Sequence, residues 1–300
     1  MNFKEELRKK TGQIEAMIQV YLPKEEGYQR TVTEAMHYAV SGGGKRLRPM
    51  LMAETAALFG DTGESLARFM TALECIHTYS LVHDDLPAMD NDDYRRGRKT
   101  THIVYGEGMA VLAGDGLLNY AFETAASAFD YASETAEYQR VARALQILGR
   151  KAGIYGMIGG QCADLRAEEL GEDVTKDMLL YIHEHKTAAL IQAAMMIGAV
   201  LAGADDEAVS QLEKCAYNIG IAFQIQDDIL DVTSSLEVLG KPVGSDEKNN
   251  KLTYVSMHGL EESRKQVEEL SREAIVILQS FPRRNLFLEE LVEQLIYREK

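Results

Sequence analysis

Proline is scarce in this 300-residue chain: five in all, at Pro23, Pro49, Pro87, Pro242 and Pro282, with none from Ala88 to Lys241. Proline is the strongest helix breaker, so a gap of that length predicts a mostly helical protein. Cysteine is scarcer. Cys75, Cys162 and Cys215 are odd in number, far apart and set in apolar surroundings. That excludes a disulfide framework, gives no zinc-site spacing, and predicts a reducing compartment. No uninterrupted apolar run reaches the roughly 18–20 residues that a bilayer span needs. Residues 1–6, Met-Asn-Phe-Lys-Glu-Glu, carry no apolar signal segment, and the expectation is a cytoplasmic protein without a membrane span. Basic charge is short too. Against 47 Asp and Glu stand 32 Lys and Arg, a net charge of −15, which excludes general nucleic-acid binding. If such a chain handles anions, it needs metal ions or local basic clusters at its site.

What is present is apolar and periodic. Hydrophobic residues make up 46% of the chain, enough for a sizeable core. Leu66, Phe69, Met70, Leu73 and Ile76 recur at three- and four-residue steps, as do Leu212, Ala216, Ile219, Phe223 and Leu230. The stretches 109–132 and 187–202 are apolar nearly all round, which predicts helices buried inside a bundle. No alternating run supports a sheet, and no repeat or low-complexity linker appears. The expectation is one all-α domain over residues 1–300. Residues 41–44, Ser-Gly-Gly-Gly, read as a flexible turn ahead of a basic cluster. The polar stretch 233–253, with Gly240, Pro242 and Gly244, reads as a long loop of the kind that serves as an active-site lid.

Two carboxylate clusters end strongly periodic segments: Asp84, Asp85 and Asp90, then Asp227, Asp228 and Asp231. Asp227 and Asp231 are four apart and share a helix face, on a stripe with Gly220 and Gln224. Leu73, His77, Ser80 and Asp84 repeat that spacing. Two such helices facing each other would bring the carboxylates together across a cleft. Like charges that close repel, and a hard divalent cation relieves them; magnesium takes oxygen ligands and commonly bridges one or two carboxylates to phosphates. Asp90 would lie far around an unbroken helix from Asp84, so Pro87 must end or distort the helix to swing it back. The competing readings are solvated acidic helix ends, or an HD-type phosphohydrolase core around the dipeptide His83-Asp84. The latter needs more histidines, and the spacing of His77, His102, His183 and His185 does not favour it.

Basic clusters accompany the acids. Lys45, Arg46 and Arg48 follow three glycines without P-loop spacing, yet a guanidinium and an ammonium after glycines suit a diphosphate. Arg95, Arg96 and Gly97 follow the first acidic cluster, where simple charge balancing of Asp92 and Asp93 is the alternative. Lys186 and Thr187 open the second apolar helix, and Lys241 and Lys248 lie on the expected lid.

Together these segments resemble the short-chain trans-prenyltransferases. The carrying residues are Gly43-Gly44-Lys45-Arg46-Leu47-Arg48-Pro49, His83-Asp84-Asp85-Leu86-Pro87-Ala88-Met89-Asp90 with Arg95-Arg96-Gly97, Gly159-Gly160-Gln161, Lys186-Thr187 and Phe223-Gln224-Ile225-Gln226-Asp227-Asp228-Ile229-Leu230-Asp231. Order and spacing match from about Lys45 to Tyr254. The four residues between Asp85 and Asp90 are the spacing of the bacterial farnesyl diphosphate synthases. The resemblance implies an isoprenoid-synthase-type helical bundle around a deep central cavity, usually a homodimer. It implies condensation of isopentenyl diphosphate with dimethylallyl and then geranyl diphosphate. The product is (2E,6E)-farnesyl diphosphate, formed through an allylic cation in a site closed to water. It implies three magnesium ions, replaceable by manganese, on Asp84, Asp90 and Asp227 with Asp85, Asp228 and Asp231 in support. Lys45, Arg48, His77 and Arg96 would hold isopentenyl diphosphate; Arg95, Lys186, Thr187, Gln224 and Lys241 would hold the allylic diphosphate. Lys186, Thr187 and Gln224 would also stabilise the cation.

In the same family the residue five before the first aspartate floors the cavity. Here it is Tyr79, with Ser80 beside it, and a bulky tyrosine implies a stop near fifteen carbons. The alternatives are a twenty-carbon geranylgeranyl diphosphate synthase, differing in cavity depth, and a non-catalytic prenyltransferase subunit, which typically lacks aspartates that this chain keeps. Two departures stand out: Asn91 where an aspartate is common, and Val255 after Thr253-Tyr254 where proline is common.

Overall fold

The computed structural model describes residues 2–60, 62–233 and 253–296. The expected lid, with Lys241 and Lys248, falls almost wholly outside the described residues. The chain forms two compact units, Met1–Ala53 with Asp61–Leu145, and Glu54–Gly60 with Gln146–Lys300.

The first unit is built on α1 (Phe3–Tyr21), α2 (Arg30–Val40), the start of α3 (Leu47–Ala56), α4 (Gly63–Asp84), α5 (Thr101–Tyr105), α6 (Glu107–Ala126) and the start of α7 (Thr135–Ala152). Among the described residues its only sheet is a two-residue hairpin, β1 (Tyr94–Arg95) paired antiparallel with β2 (Arg98–Lys99). α4 carries the first periodic stripe. Phe69, Leu73 and Ile76 are fully buried, and each such side chain contributes roughly 1.5–3 kcal/mol. α6 packs on α4 and α2, with Ala110, Ala113, Leu117 and Ala121 buried, while Val111 and Leu112 on its other side are exposed. The expectation that 109–132 is buried all round is thereby corrected: only one stripe of α6 is covered.

The second unit holds α8 (Met157–Leu170), α9 (Lys176–Ile182), a π-helical turn (His183–Ala188), α10 (Ala189–Leu201), α11 (Asp206–Thr233), α12 (Tyr254–His258), α13 (Leu260–Ser280) and α14 (Leu286–Ile296). Every residue of α10 is buried, as its composition predicts. Its one polar side chain, Gln192, is satisfied by Lys151 Nζ at 2.8 Å, and Lys151 also pairs with Glu213 Oε1 at 2.7 Å, as a buried amide requires. α11 lies between α10 and α13. Among the described residues no helix is long and apolar enough to cross a membrane.

Candidate active site

Each unit carries one half of the predicted residues, and each half has its own geometry. In the first unit, a cleft is lined by Arg46, Glu74, His77, Arg95, Arg96 and Arg98, among others. Arg95 and Arg96 reach it from the hairpin. Arg96 and Gly97 both have left-handed backbones, φ 52° and 75°, as a two-residue hairpin with native twist demands. Arg46 is buried; its guanidinium donates to Glu74 Oε1 and to the Val40 carbonyl, both at 2.6 Å. Lys45 beside it is exposed and Arg48 half-buried.

The charges in this half are unbalanced. Burial draws the Arg48 guanidinium down to about 10; Glu74 resists the shift and Arg96 adds to it. His77 is held well below the usual imidazole range, first by burial and then by Arg48, Arg96, Arg95 and Arg46. At neutral pH it is therefore a neutral hydrogen-bonding group among cations. Guanidiniums gathered this way favour an anion that can take several charge-assisted bonds at once.

The first aspartate cluster borders this half. α4 ends at Asp84, Pro87 prevents its continuation, and the Asp90 N–H returns to the Asp84 carbonyl at 2.8 Å. The return predicted from Pro87 is thus a closed turn with Asp84 and Asp90 at its two ends. Asp85 is buried and accepts from Arg95 Nε at 2.7 Å and Nη2 at 2.6 Å. Burial pushes its carboxyl upward against the pull of Arg95. Arg95 is thereby engaged with the aspartate motif. Tyr79 is buried, its hydroxyl has no partner among the described residues, and burial together with the charge of Asp84 pushes its phenol up to about 12. Ser80 bonds to its own helix at the His77 carbonyl, 2.9 Å.

In the second unit the π turn presents Lys186 and Thr187. Glycines on two neighbouring helices let it approach. A Cβ on Gly160 of α8 would lie 2.0 Å from Lys186 N, and one on Gly220 of α11 would lie 2.6 Å from Ala188 Cα. The close approach explains two positions: Gly160 in the segment Gly159–Gln161, and Gly220 on the polar stripe of α11. Lys186 Nζ donates to Asp164 Oδ2 at 2.5 Å, and Thr187 Oγ1 to Gln224 Oε1 at 3.0 Å. Asp227 is half-buried, whereas Asp228 and Asp231 are buried. Asp228 Oδ2 accepts from the Tyr254 N–H at 2.7 Å, where α12 begins.

Both aspartate pairs share one plan: the first member (Asp84, Asp227) is half-buried and the second (Asp85, Asp228) is buried and held by its own unit. Among the described residues no three His, Cys, Asp or Glu side chains form a ready cation cage. The donors are all carboxylate oxygens, which suit a hard cation that keeps its waters and is completed by phosphate, and magnesium fits that description. Glu74, Asp164 and His183 escaped the sequence reading as partners in the site. Glu74 and Asp164 stand among other charged residues on α4 and α8, and only their distant partners, Arg46 and Lys186, single them out.

His183 is buried, and burial lowers its imidazole to about 4, against the pull of Asp164. A group whose folded pKa lies below the ordinary 6.5 is protonated first in the unfolded chain. Its stabilising effect is complete above pH 6.5 and is lost as the pH falls toward 4, on the order of 3 kcal/mol. Urea denaturation from pH 7 to 4 should therefore show a flatter pH slope for His183→Gln than for the wild type; equal slopes would refute this.

The chain is similar to known proteins over most of its length. The polyprenyl synthetase family matches residues 29–281. The chain is 46% identical over 243 residues to a geranylgeranyl diphosphate synthase of Cyanophora paradoxa, covering 81% of this chain and 79% of the relative. It is 44% identical over 247 residues to a farnesyl diphosphate synthase of Geobacillus stearothermophilus, covering 82% and 81%. A crystal structure of a geranyltransferase from Helicobacter pylori, complexed with magnesium and isoprenyl diphosphate, superposes with a TM-score of 0.81 at 31% identity, over 99% of this chain and 97% of that one.

Proposed function

Because this chain belongs to the polyprenyl synthetase family and is a short-chain trans-prenyltransferase, we propose that it condenses isopentenyl diphosphate with dimethylallyl and then geranyl diphosphate and stops at (2E,6E)-farnesyl diphosphate. The observation that carries the fifteen-carbon product is Tyr79: a buried phenol five residues before Asp84, its ring edge-on to His83 and its hydroxyl unpartnered among the described residues. In that position a bulky ring would end the space for a growing chain, and a smaller residue would let it extend.

Lys45, Arg48, His77 and Arg96 hold the isopentenyl diphosphate, the guanidiniums by paired bonds to phosphate oxygens. Neutral His77 adds a hydrogen bond where a further cation would be repelled. Arg95, Lys186, Thr187 and Gln224 serve the allylic diphosphate. Asp84, Asp90 and Asp227 would hold magnesium, with Asp85, Asp228 and Asp231 in support. Magnesium, when bound, neutralises the charge that grows on the departing diphosphate. The allylic C1–O bond breaks, and C1 bonds to C4 of isopentenyl diphosphate. The proton lost from C2 goes to the departing diphosphate. The Thr187–Gln224 pair supplies oriented dipoles to the cation between these events. The protein acts as a homodimer in the cytoplasm; exposed Ile103, Val104, Val111 and Leu112 support self-association.

The test is product sizing by mass spectrometry with magnesium, isopentenyl diphosphate and dimethylallyl diphosphate. The wild type should give a fifteen-carbon diphosphate, and Tyr79→Ala should move most product to twenty carbons or more. A twenty-carbon wild-type product, or no change on substitution, would place the floor elsewhere. Absence of any condensation would overturn the function.

A further inference from the structure

Three non-glycine residues among those described have left-handed backbones: Arg46 (φ 48°), Asn91 (φ 54°) and Arg96 (φ 52°). A residue with a Cβ is disfavoured there and persists only where its surroundings over-determine it. Arg46 and Arg96 both line the cation cleft, and both are fastened to the same short segment. Arg96 Nη1 donates to the Gly43 carbonyl, and its guanidinium lies so close over Gly44 that a Cβ there would meet Nη1 at 2.5 Å. Arg46 fastens the segment from the other side. Its side chain turns inward to Glu74 and to the Val40 carbonyl, each at 2.6 Å, with Glu15 3.6 Å from Nε.

The consequence is a sorting of the three cations between residues 45 and 48. Arg46 is spent inside the protein; Lys45 stays exposed, and Arg48, whose Nε is buried without a partner, remains available to a ligand. Glu74 lies on α4 one turn before His77, so the pair ties the glycine segment to the helix that carries the histidine and, further on, Asp84.

We propose that the Arg46–Glu74 pair is a positioning device: it holds residues 43–48 in their strained turn so that Lys45 and Arg48 meet the diphosphate of isopentenyl diphosphate, without touching that substrate itself. This rests on the reading of the cleft as the isopentenyl diphosphate site. A buried ion pair can be replaced by apolar side chains with little loss of stability, whereas removing one partner leaves a costly lone charge. The informative variant is therefore the double substitution Arg46→Met with Glu74→Leu. Its melting temperature should stay near that of the wild type. Its KM for isopentenyl diphosphate should rise 30-fold or more, while its KM for geranyl diphosphate changes less than 3-fold.

Non-additivity gives the second readout. In the double-variant background, Arg48→Ala should weaken isopentenyl diphosphate binding far less than it does in the wild type, because the guanidinium is already misplaced. Should the double variant not fold, Arg46→Lys serves, since lysine keeps the charge but cannot span Glu74 and the Val40 carbonyl together. It should raise the same KM several-fold. An unchanged KM in a folded variant, or full additivity with Arg48→Ala, would overturn the positioning role. Arg96→Ala separates the two readings: an unchanged KM for isopentenyl diphosphate there would overturn the cleft assignment itself.

Discussion

Asp227→Ala should lower kcat by about a thousandfold or more while leaving the melting temperature within a few degrees of the wild type. In the proposed metal role, losing this carboxylate would forfeit several kcal/mol of transition-state charge stabilisation, and each 1.36 kcal/mol is tenfold in rate. The fold is spared because Asp227 is half-buried on the face of α11, whereas its neighbours are structural. Asp228 holds the N–H that opens α12 and Asp231 is buried. Asp228→Ala would leave that N–H without its acceptor and reduce stability as well, by roughly 1–3 kcal/mol. Steady-state kinetics across a magnesium titration, paired with thermal melting, distinguishes the two. Near-normal turnover by the Asp227 variant at saturating magnesium would remove Asp227 from the metal site.

Gly160→Ala adds only a methyl group, yet it should damage both stability and rate. The new Cβ would stand 2.0 Å from Lys186 N and 2.6 Å from the His185 carbonyl carbon. Both atoms belong to backbone, so no side chain can swing aside, and either α8 or the π turn must move. Overpacking of this kind costs about 1–3 kcal/mol or more. A shift of about 1 Å at Lys186 should also lower kcat on the order of 100-fold. Melting and single-turnover measurements read the two effects separately. Wild-type kinetics from the variant would mean that the close approach of α8 does not set the position of Lys186.

The fold class was legible because two physical signals agree: the proline gap, and the stripes on α4 and α11. Asp84 with Asp90, and Asp227 with Asp231, could be picked out because helix periodicity and the proline rule act over a few residues. Glu74 and Asp164 were not legible as partners. Their roles depend on which distant residue lands opposite, Arg46 28 positions away and Lys186 22 positions away, and no local pattern encodes that. The two faces of α6 were misjudged for a related reason. Alanine, valine and leucine are all apolar, and only packing against α4 decides which of them are covered. The close approaches at Gly160 and Gly220 were likewise hidden, since a glycine in a helix announces permission for contact without naming the neighbour.

The π turn at His183–Ala188 continues α9 directly into α10. A turn wound wider than 3.6 residues accommodates about one extra residue and rotates everything beyond it by about 100°. The two helices therefore run as a single rod with a phase slip in the middle, and each side of the slip presents a different set of residues to the same neighbours. Spacing along this rod is thus constrained as tightly as chemistry. Deleting one residue within the turn would restore regular winding, keep every functional side chain in the sequence, and still misalign Lys186 and Thr187 with Asp164 and Gln224. Here the number of residues between two contacts carries information that the residues themselves do not.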